Sequence, residues 1–294
     1  MYIYLDTSIY NWLYEQHLVD LVKNNIGLGI KIFPRVYNIA EVASTTSSDR
    51  RLALLKILKD LSLSYRPAAM PSTLLHRATV STLARKPSMD YSAGKDWEGL
   101  WISFNNPELL EQADFDEVKA WKKNEEDRYF NILSNGRELM QDTISRLSPN
   151  AKSKLTSSFG NLFRYFSMQE DLIRETVQMH GQNMNPKITL DGGQVKYILD
   201  NSEYWRFYLS SILHMLYSYS IKVNSFGKKS NPGVVDHFQA PYLAICDVIV
   251  SADKRQLRMF KLINRLGNKR RAVWSFDQFK SFILTTREIA SKNL

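Results

Sequence analysis

Residues 1 to 85 alternate short apolar runs with longer stretches in which apolar residues recur at helical spacing. A short apolar run is typical of a buried strand, whereas recurrence every three or four residues predicts a helix. The predicted strands are Met1–Leu5, Lys31–Phe33 and Ser62–Tyr65. The predicted helices are Ile9–Val22, Tyr37–Ser44, Arg50–Leu61 and one that opens at Pro71, since proline is tolerated in a first turn.

The pattern changes between residues 86 and 230, where strand signals become rare and polar segments carry scattered aromatic residues. The spacing predicts helices over Pro107–Asn135, Arg137–Leu147, Asn150–Met179 and Ser202–Ser220. Glycine and proline predict loops near Pro149, at Gly181–Pro186 and at Asp191–Gly193, and a linker at Ser225–Gly233. We interpret this region as a helical insertion, because it is far longer than an ordinary connecting loop.

Strands and helices alternate again from residue 231 to the end of the chain. The predicted elements are helix Val234–Cys246, strand Val248–Ser251, helix Arg255–Leu266, strand Arg271–Trp274 and a helix from Asp277. Such alternation favours a mainly parallel sheet. The predicted fold is therefore an α/β domain built from residues 1–85 and 231–294, interrupted by a mostly α-helical insertion over residues 86–230.

Four acidic residues occupy positions that suit a metal site: Asp6, Glu41, Asp236 and Asp253. Asp6 follows the first strand, and Asp253 follows the strand Val248–Ser251. The carboxyl ends of neighbouring parallel strands meet at one edge of an open sheet, where ligands bind. Clustered carboxylates repel one another unless a hard divalent cation neutralises them, so the pattern predicts Mg²⁺ or Mn²⁺.

Each of these carboxylates, taken alone, also has an ordinary structural interpretation. Asp6 would cap a helix, Glu41 would be an exposed helical residue, and Asp236 would favour a helix N-terminus. Their order along the chain and the strands beside them favour the metal site over these separate roles. The histidines have no zinc-ligand spacing with Cys246, and no glycine-rich phosphate-binding motif is present.

The 294 residues have a net charge of +9, which indicates an anionic partner. From Lys254 to Leu294, eleven basic residues stand against Asp277 and Glu288, an excess equal to that of the whole chain. A basic segment beside an acidic metal site suits a phosphodiester backbone, although most charge runs are solvated, salt-bridged surfaces. With a single cysteine, no basic leader and no apolar run that would span a bilayer, we expect a cytoplasmic protein without a membrane partner.

Three segments resemble a PIN domain: Leu5-Asp-Thr-Ser8, Asn38-Ile-Ala-Glu41 and, most specifically, Val235–Lys254. This family comprises Mg²⁺- or Mn²⁺-dependent nucleases, mostly ribonucleases, with a parallel sheet flanked by helices. The third segment has an acidic residue that opens a helix, then a strand, Ser-x-Asp and a basic residue. The resemblance covers about residues 1–85 and 231–294 and leaves out the insertion.

The resemblance implies catalytic metal ligands and substrate-binding residues. The ligands would be Asp6, Glu41, Asp236 and Asp253, and the substrate-binding residues would be Lys254, Arg255, Ser8 and Ser251. The implied reaction is divalent-metal-dependent hydrolysis of phosphodiester bonds in single-stranded or structured RNA, leaving a 5′-phosphate and a 3′-hydroxyl. Asp247 would have a turn or capping role instead.

The partners implied by the resemblance are RNA, an inhibitor protein such as an antitoxin, and a second copy of the chain. The insertion is open to three interpretations: a substrate-selecting lid, a dimerisation module or the docking site of an inhibitor. Two other functions also stay open. One is a nucleic-acid-binding or assembly protein whose site is catalytically vestigial, and the other is a PIN-like DNA nuclease.

Overall fold

The computed structural model describes residues 1–26, 29–62, 66–86, 89–93, 102–104, 106, 110–167, 174, 177, 190–218, 234–267 and 269–292. Its strands are β1 (Tyr2–Leu5), β2 (Lys31–Ile32), β3 (Val248–Ser251) and β4 (Ala272–Ser275). They form a four-stranded sheet in the order β2-β1-β3-β4, in which every pair is parallel. The α/β class with a parallel sheet is therefore confirmed.

The helices surround this sheet and account for most of the described chain. They are α1 (Thr7–Glu15), α2 (Val19–Ile26), α3 (Val36–Ala43), α4 (Ser48–Ser62), α5 (Pro71–Leu83), α6 (Gln112–Ser145), α7 (Pro149–Thr156), α8 (Phe159–Ser167), α9 (Gly192–Asn201), α10 (Glu203–Leu216), α11 (Val234–Phe238), α12 (Lys254–Ile263) and α13 (Phe276–Lys292), with 3₁₀ helices at Ala240–Ala244 and Asn264–Leu266. Within the described ranges, no helix combines the length and the apolar character needed to cross a lipid bilayer.

The central strand β1 is covered on both faces, which explains why its sequence is apolar throughout. Ile3 and Leu5 are completely buried in a cluster that includes α1, α4 and α13. Tyr4 points to the opposite face and packs with the 3₁₀ helix Ala240–Ala244 and with α12. Because β1 and β3 are adjacent and parallel, Leu5 pairs with Val250, and the chain leaves both strands at the same edge.

Two predictions for the first 85 residues are wrong in detail. The helix predicted over Ile9–Val22 is divided into α1 and α2, because His17 adopts a left-handed conformation with φ of 54°. Ser62, predicted to begin a strand, is the last residue of α4, while residues 63–65 lie outside the described residues. Apolar spacing alone showed neither the break nor the helix end.

The helical region also differs from the prediction at several boundaries. Helix α6 runs without interruption through Gly136, where two helices were predicted; a Cβ there would lie 3.3 Å from Leu216 Cδ2, so the glycine permits close packing of α10. Asp191–Gly193, predicted as a loop, begins α9, because Asp191 Oδ1 accepts a hydrogen bond from Gln194 N at 2.8 Å.

Other predicted boundaries fall on breaks or outside the described chain. Asn150–Met179 is divided into α7 and α8, and beyond Ser167 only residues 174 and 177 of it are described. The predicted helix Val234–Cys246 is α11 followed by a 3₁₀ helix that carries Pro241, which lacks the N–H needed for an α-helical hydrogen bond. The loop Gly181–Pro186 and the linker Ser225–Gly233 lie outside the described residues.

The helices between residues 112 and 216 share a hydrophobic core with the elements that flank them. This shared cluster joins side chains from α3, α5, α6, α10 and α11, among them Tyr37, Leu75, Tyr129, Trp205 and Phe238. All five side chains are almost completely buried. The helical region therefore covers one side of the α/β elements and completes their core.

Gly267, in the loop between α12 and β4, is expected to tolerate no side chain. A Cβ there would lie 2.5 Å from Cζ of Phe207, a ring that is completely buried and cannot move aside cheaply. Gly267→Ala should lower the free energy of unfolding by about 1–3 kcal/mol. Urea denaturation would measure the loss, with Gly160→Ala as control, because the nearest atom there is 3.9 Å away. Equal stability of both variants would contradict the close packing.

Candidate active site

Asp6 begins the candidate site at the carboxyl end of β1. Its backbone N–H donates to Val250 O at 2.9 Å, which ties the end of β1 to β3. The carboxylate caps α1, since Asp6 Oδ2 accepts hydrogen bonds from Ser8 Oγ at 2.6 Å and from Ser8 N at 3.3 Å. Ser8 Oγ accepts in turn from Ala252 N at 3.2 Å. The Ser8 hydroxyl therefore positions Asp6 against the loop that follows β3.

Glu41 reaches the same edge of the sheet from α3. Thr7 Oγ1 donates to Glu41 Oε2 and accepts from Asn38 Nδ2 at 2.9 Å. Asn38 Nδ2 also lies 3.3 Å from Leu5 O, so α3 is bonded through Asn38 to the end of β1 and through Glu41 to the first residue of α1. Burial, and then the neighbouring Asp6 carboxylate, raise the pKa of Glu41.

Asp236 on α11 is the third carboxylate in this volume. Burial raises its pKa well above the ordinary range, and the negative charges of Asp6, Glu41 and Asp253 add to the increase, against the opposing effect of Arg35. Burial also raises the pKa of Asp6, although the hydrogen bonds that Asp6 accepts oppose this. Asp6 is buried, whereas Glu41 and Asp236 are half-buried, so the region that destabilises the three carboxylates as anions is partly open to solvent.

Asp253 and its neighbours stand at the solvent-exposed side of the site. Asp253 caps α12, because its Oδ1 accepts from Arg255 N at 2.6 Å and from Gln256 N at 3.0 Å. The completely buried Ser251 accepts through Oγ from Asp253 N at 3.0 Å, so its hydroxyl positions Asp253 and does not face solvent. Lys254 and Arg255 are exposed in the first turn of α12.

Arg35 places a completely buried cation beside these carboxylates. Its guanidinium carbon lies 3.5 Å from the ring centroid of Tyr4 and 4.8 Å from that of Tyr242. Nη1 donates to Gln239 Oε1, and Nη2 lies 3.9 Å from Asp6 Oδ1. Burial lowers the pKa of Arg35 to about 10, so the side chain is still cationic at neutral pH.

Sequence reasoning did not identify Arg35, Gln239 or Gln256 as site residues. Among the described residues, Arg35 Nη2, Gln239 Nε2 and Gln256 Oε1 are buried without a hydrogen-bond partner. Gln256 Nε2 lies 3.5 Å from Asp6 Oδ1. The available signal was a polar residue inside an otherwise apolar segment, as at Arg35 between Pro34 and Val36.

His237 and Asp247 each contact a residue that is distant in sequence. His237, next to Asp236, stacks on His214 with ring centroids 5.6 Å apart, and the nearest ring nitrogens are 3.4 Å apart. Because 23 residues separate the two histidines, local sequence spacing did not indicate this pair. Asp247 lies at the opposite edge of the sheet, where Oδ2 accepts from Tyr2 N at 2.8 Å.

Comparison with protein-family models, with curated proteins and with solved structures found no match to this chain.

The chemistry of the donors fits a hard divalent cation, which prefers carboxylate oxygens. When Asp6, Glu41 and Asp236 are all ionised, their three negative charges exceed the single charge of Arg35, the buried cation beside Asp6. The positions fit less well. In the described part of the chain, no three acidic, histidine or cysteine side chains stand close enough together to hold a metal ion. Ligation would therefore require these side chains to move closer together.

Asp236→Asn is expected to stabilise the metal-free protein at neutral pH by about 1–2 kcal/mol, because the amide removes a desolvated charge. Folding raises the pKa of Asp236, so the folded state holds this proton more tightly than the unfolded chain. The penalty in the wild type is absent below the ordinary carboxyl pKa of about 4 and grows as the pH rises towards the folded pKa.

Melting temperatures in EDTA across this pH range would test the expectation. Glu138→Gln is the control, since Glu138 is exposed in the middle of α6 and should show no such pH dependence. An Asp236→Asn protein that melts below the wild type at neutral pH would identify Asp236 as a structural residue.

Arg35→Met is expected to lower the free energy of unfolding by about 3–5 kcal/mol, because it leaves buried carboxylates without their cation. Arg35→Lys should also be destabilising, since an ammonium group cannot reproduce the planar contacts with Tyr4 and Tyr242. Urea denaturation would measure both losses. The control is Arg50→Ala, which removes an exposed ion pair with Glu15 and should cost about 1 kcal/mol or less. Similar losses for Arg35 and Arg50 variants would contradict the central role of Arg35.

Proposed function

We propose that the protein is a Mg²⁺- or Mn²⁺-dependent nuclease that hydrolyses phosphodiester bonds, with RNA as the favoured substrate. One observation carries the proposal: Asp6, Glu41 and Asp236 lie together at the carboxyl edge of a parallel sheet, where burial raises the pKa of all three and Asp6 also raises the pKa of Glu41 and Asp236. Such clusters of destabilised carboxylates are characteristic of functional sites. The preference for RNA rests on the resemblance to PIN domains.

In this proposal Asp6, Glu41 and Asp236 would hold the ion, and Asp253 would complete the site from the exposed side. A bound divalent ion would supply Lewis-acid chemistry, which lowers the pKa of water and offsets the charge of a phosphate. The protein's own side chains would position the carboxylates that hold the ion. Ser8 fixes Asp6, Thr7 fixes Glu41, and their hydrogen bonds hold the carboxylates in place against mutual repulsion.

Substrate would be guided by the cations next to Asp253. Lys254 and Arg255 are exposed, and their charges suit the phosphates on either side of the scissile bond. Glu41 has a second role open to it, as the group that orients the attacking water. Cleavage would leave a 5′-phosphate and a 3′-hydroxyl. Self-association and an inhibitor protein at the helices between residues 112 and 216 belong to the same proposal.

A nucleic-acid-binding protein without turnover is the second candidate function. Its support is Arg35, whose Nη2 already stands 3.9 Å from Asp6 Oδ1, where a cation offsets part of the acidic charge. A site stabilised in this way has less need of a metal ion. The two candidates differ in one measurable property, since the second predicts binding that needs neither a divalent ion nor Asp236.

The deciding experiment incubates the purified protein with labelled single-stranded RNA or single-stranded DNA in the presence of Mn²⁺, Mg²⁺ or EDTA. We expect cleavage of RNA that requires the metal and falls by at least about a hundredfold in Asp236→Asn, because a ligand to the reacting centre is lost. Glu138→Gln is the matched control and should cleave like the wild type, since Glu138 is exposed on α6.

Each outcome selects one function. Cleavage of DNA with the same requirements would identify a DNA nuclease. Binding of RNA without cleavage under any metal condition, by a protein that is folded, would favour the second candidate. Cleavage that survives EDTA and Asp236→Asn would refute the proposed site.

A further inference from the structure

Helix α12 carries a stripe of positive charge along one exposed face. Lys254, Arg258, Lys261 and Arg265 recur at intervals of four, three and four residues, which places them on one side of the helix and of the 3₁₀ turn that continues it. All four side chains are exposed, while the opposite face is buried in the protein core. At about 1.5 Å per residue, the stripe is about 16 Å long.

A basic groove lies at the far end of this stripe, at the amino edge of the sheet. It has a volume of about 580 Å³ and is lined by Lys261, Asn264, Arg265, Arg270, Arg271 and Val273. The loop that forms it is held in place, because Asn264 makes two hydrogen bonds to the backbone of Arg271, at 2.7 and 3.0 Å. Arg271 Nη2 also contacts Glu203 Oε2 at 3.1 Å.

The positive charges of the stripe and groove are not balanced by carboxylates. Of the cations in these two features, Arg271 alone has an ion-pair partner within the described ranges. The spacing brings like charges next to one another along the helix, which is destabilising. Lys254 also stands in the first turn, where the helix dipole disfavours a cation. A salt-bridged surface would show neither feature, so the arrangement points to an anionic ligand.

We infer that the stripe Lys254–Arg258–Lys261–Arg265 and the groove form a continuous binding track for the phosphate backbone of single-stranded nucleic acid. The track begins next to Asp253 and ends at Arg270. A single line of cations matches a linear polyanion. An anionic membrane is the less suitable partner, because the apolar face of α12 is buried and cannot insert into lipid.

The proposed function gives the track its purpose, because it would lead a substrate strand away from the acidic site. Binding itself requires neither a metal ion nor turnover. A test in EDTA therefore examines the track alone, and its result is independent of whether the chain cleaves RNA.

The test measures binding of a labelled single-stranded RNA of about twenty nucleotides by fluorescence anisotropy in EDTA, over a range of salt concentrations. The variant Arg265→Ala/Arg270→Ala removes the far end of the track, which should weaken binding about tenfold at low salt. The slope of log K against log salt is negative and should become less steep by about 1.4, since two phosphate contacts are lost. The control Lys56→Ala/Lys196→Ala removes the same charge from exposed positions on α4 and α9 and should leave the slope unchanged.

A dinucleotide supplies the second measurement, because it is too short to extend from Lys254 to Arg265. Because it can occupy either end of the track, its weak binding should be reduced only in part by Lys254→Ala/Arg258→Ala and only in part by Arg265→Ala/Arg270→Ala. The track would be refuted if Arg265→Ala/Arg270→Ala and the control Lys56→Ala/Lys196→Ala lost the same affinity for the long RNA. It would also be refuted if Arg265→Ala/Arg270→Ala weakened binding of the dinucleotide as much as binding of the long RNA. Unchanged RNA binding together with lost binding to phosphatidylserine vesicles would overturn it in favour of a membrane surface.

Discussion

The rest of the site depends on the burial of several carboxylates around a single guanidinium group. Asp6 raises the pKa of Glu41 and of Asp236, Glu41 raises that of Asp236, and Arg35 is the buried cation nearest to Asp6 in the described chain. The cost of burying that cation is offset by stacking on Tyr4 and by the hydrogen bond to Gln239. Tyr4 is part of β1. The strand that ends at Asp6 therefore also contacts Arg35, the cation that stabilises the buried Asp6 carboxylate.

The helices between residues 112 and 216 contribute to the site by covering it. Tyr37, one residue before Asn38, packs against Trp121 on α6 with ring centroids 5.9 Å apart. The positive charge of Lys122, also on α6, lowers the pKa of Glu41, against the larger effect of burial. The region interpreted from sequence as an insertion is thus part of the environment of the carboxylates. The helices therefore belong to the same packed unit as the α/β elements.

The sequence predicted the four strands of the parallel sheet and placed Asp6 and Asp253 at the ends of two of them, because acidic residues that follow short apolar runs are easily recognised. It could not predict Arg35, whose role depends on Gln239 more than two hundred residues away. The glycines at positions 136 and 192 led to wrong predictions of a helix break and a loop. Both residues are helical, because Gly136 packs against Leu216 and Asp191 caps the helix that begins at Gly192. Such effects arise from tertiary contacts, which local spacing does not contain.

Helix α12 begins beside the carboxylates of the candidate site and carries the basic stripe along its exposed face. Asp253, at the start of the helix, lies where the acidic site and the basic stripe meet. Its Oδ1 accepts two backbone N–H groups at the start of the helix, so the carboxylate offsets the positive end of the helix dipole. That offset makes a first turn with Lys254 and Arg255 tolerable. An uncharged cap such as serine could accept the same hydrogen bonds, but it would leave those cations unopposed at the rim of the acidic site. The charge of Asp253 therefore matters to the start of the basic stripe even if it never contacts a metal ion.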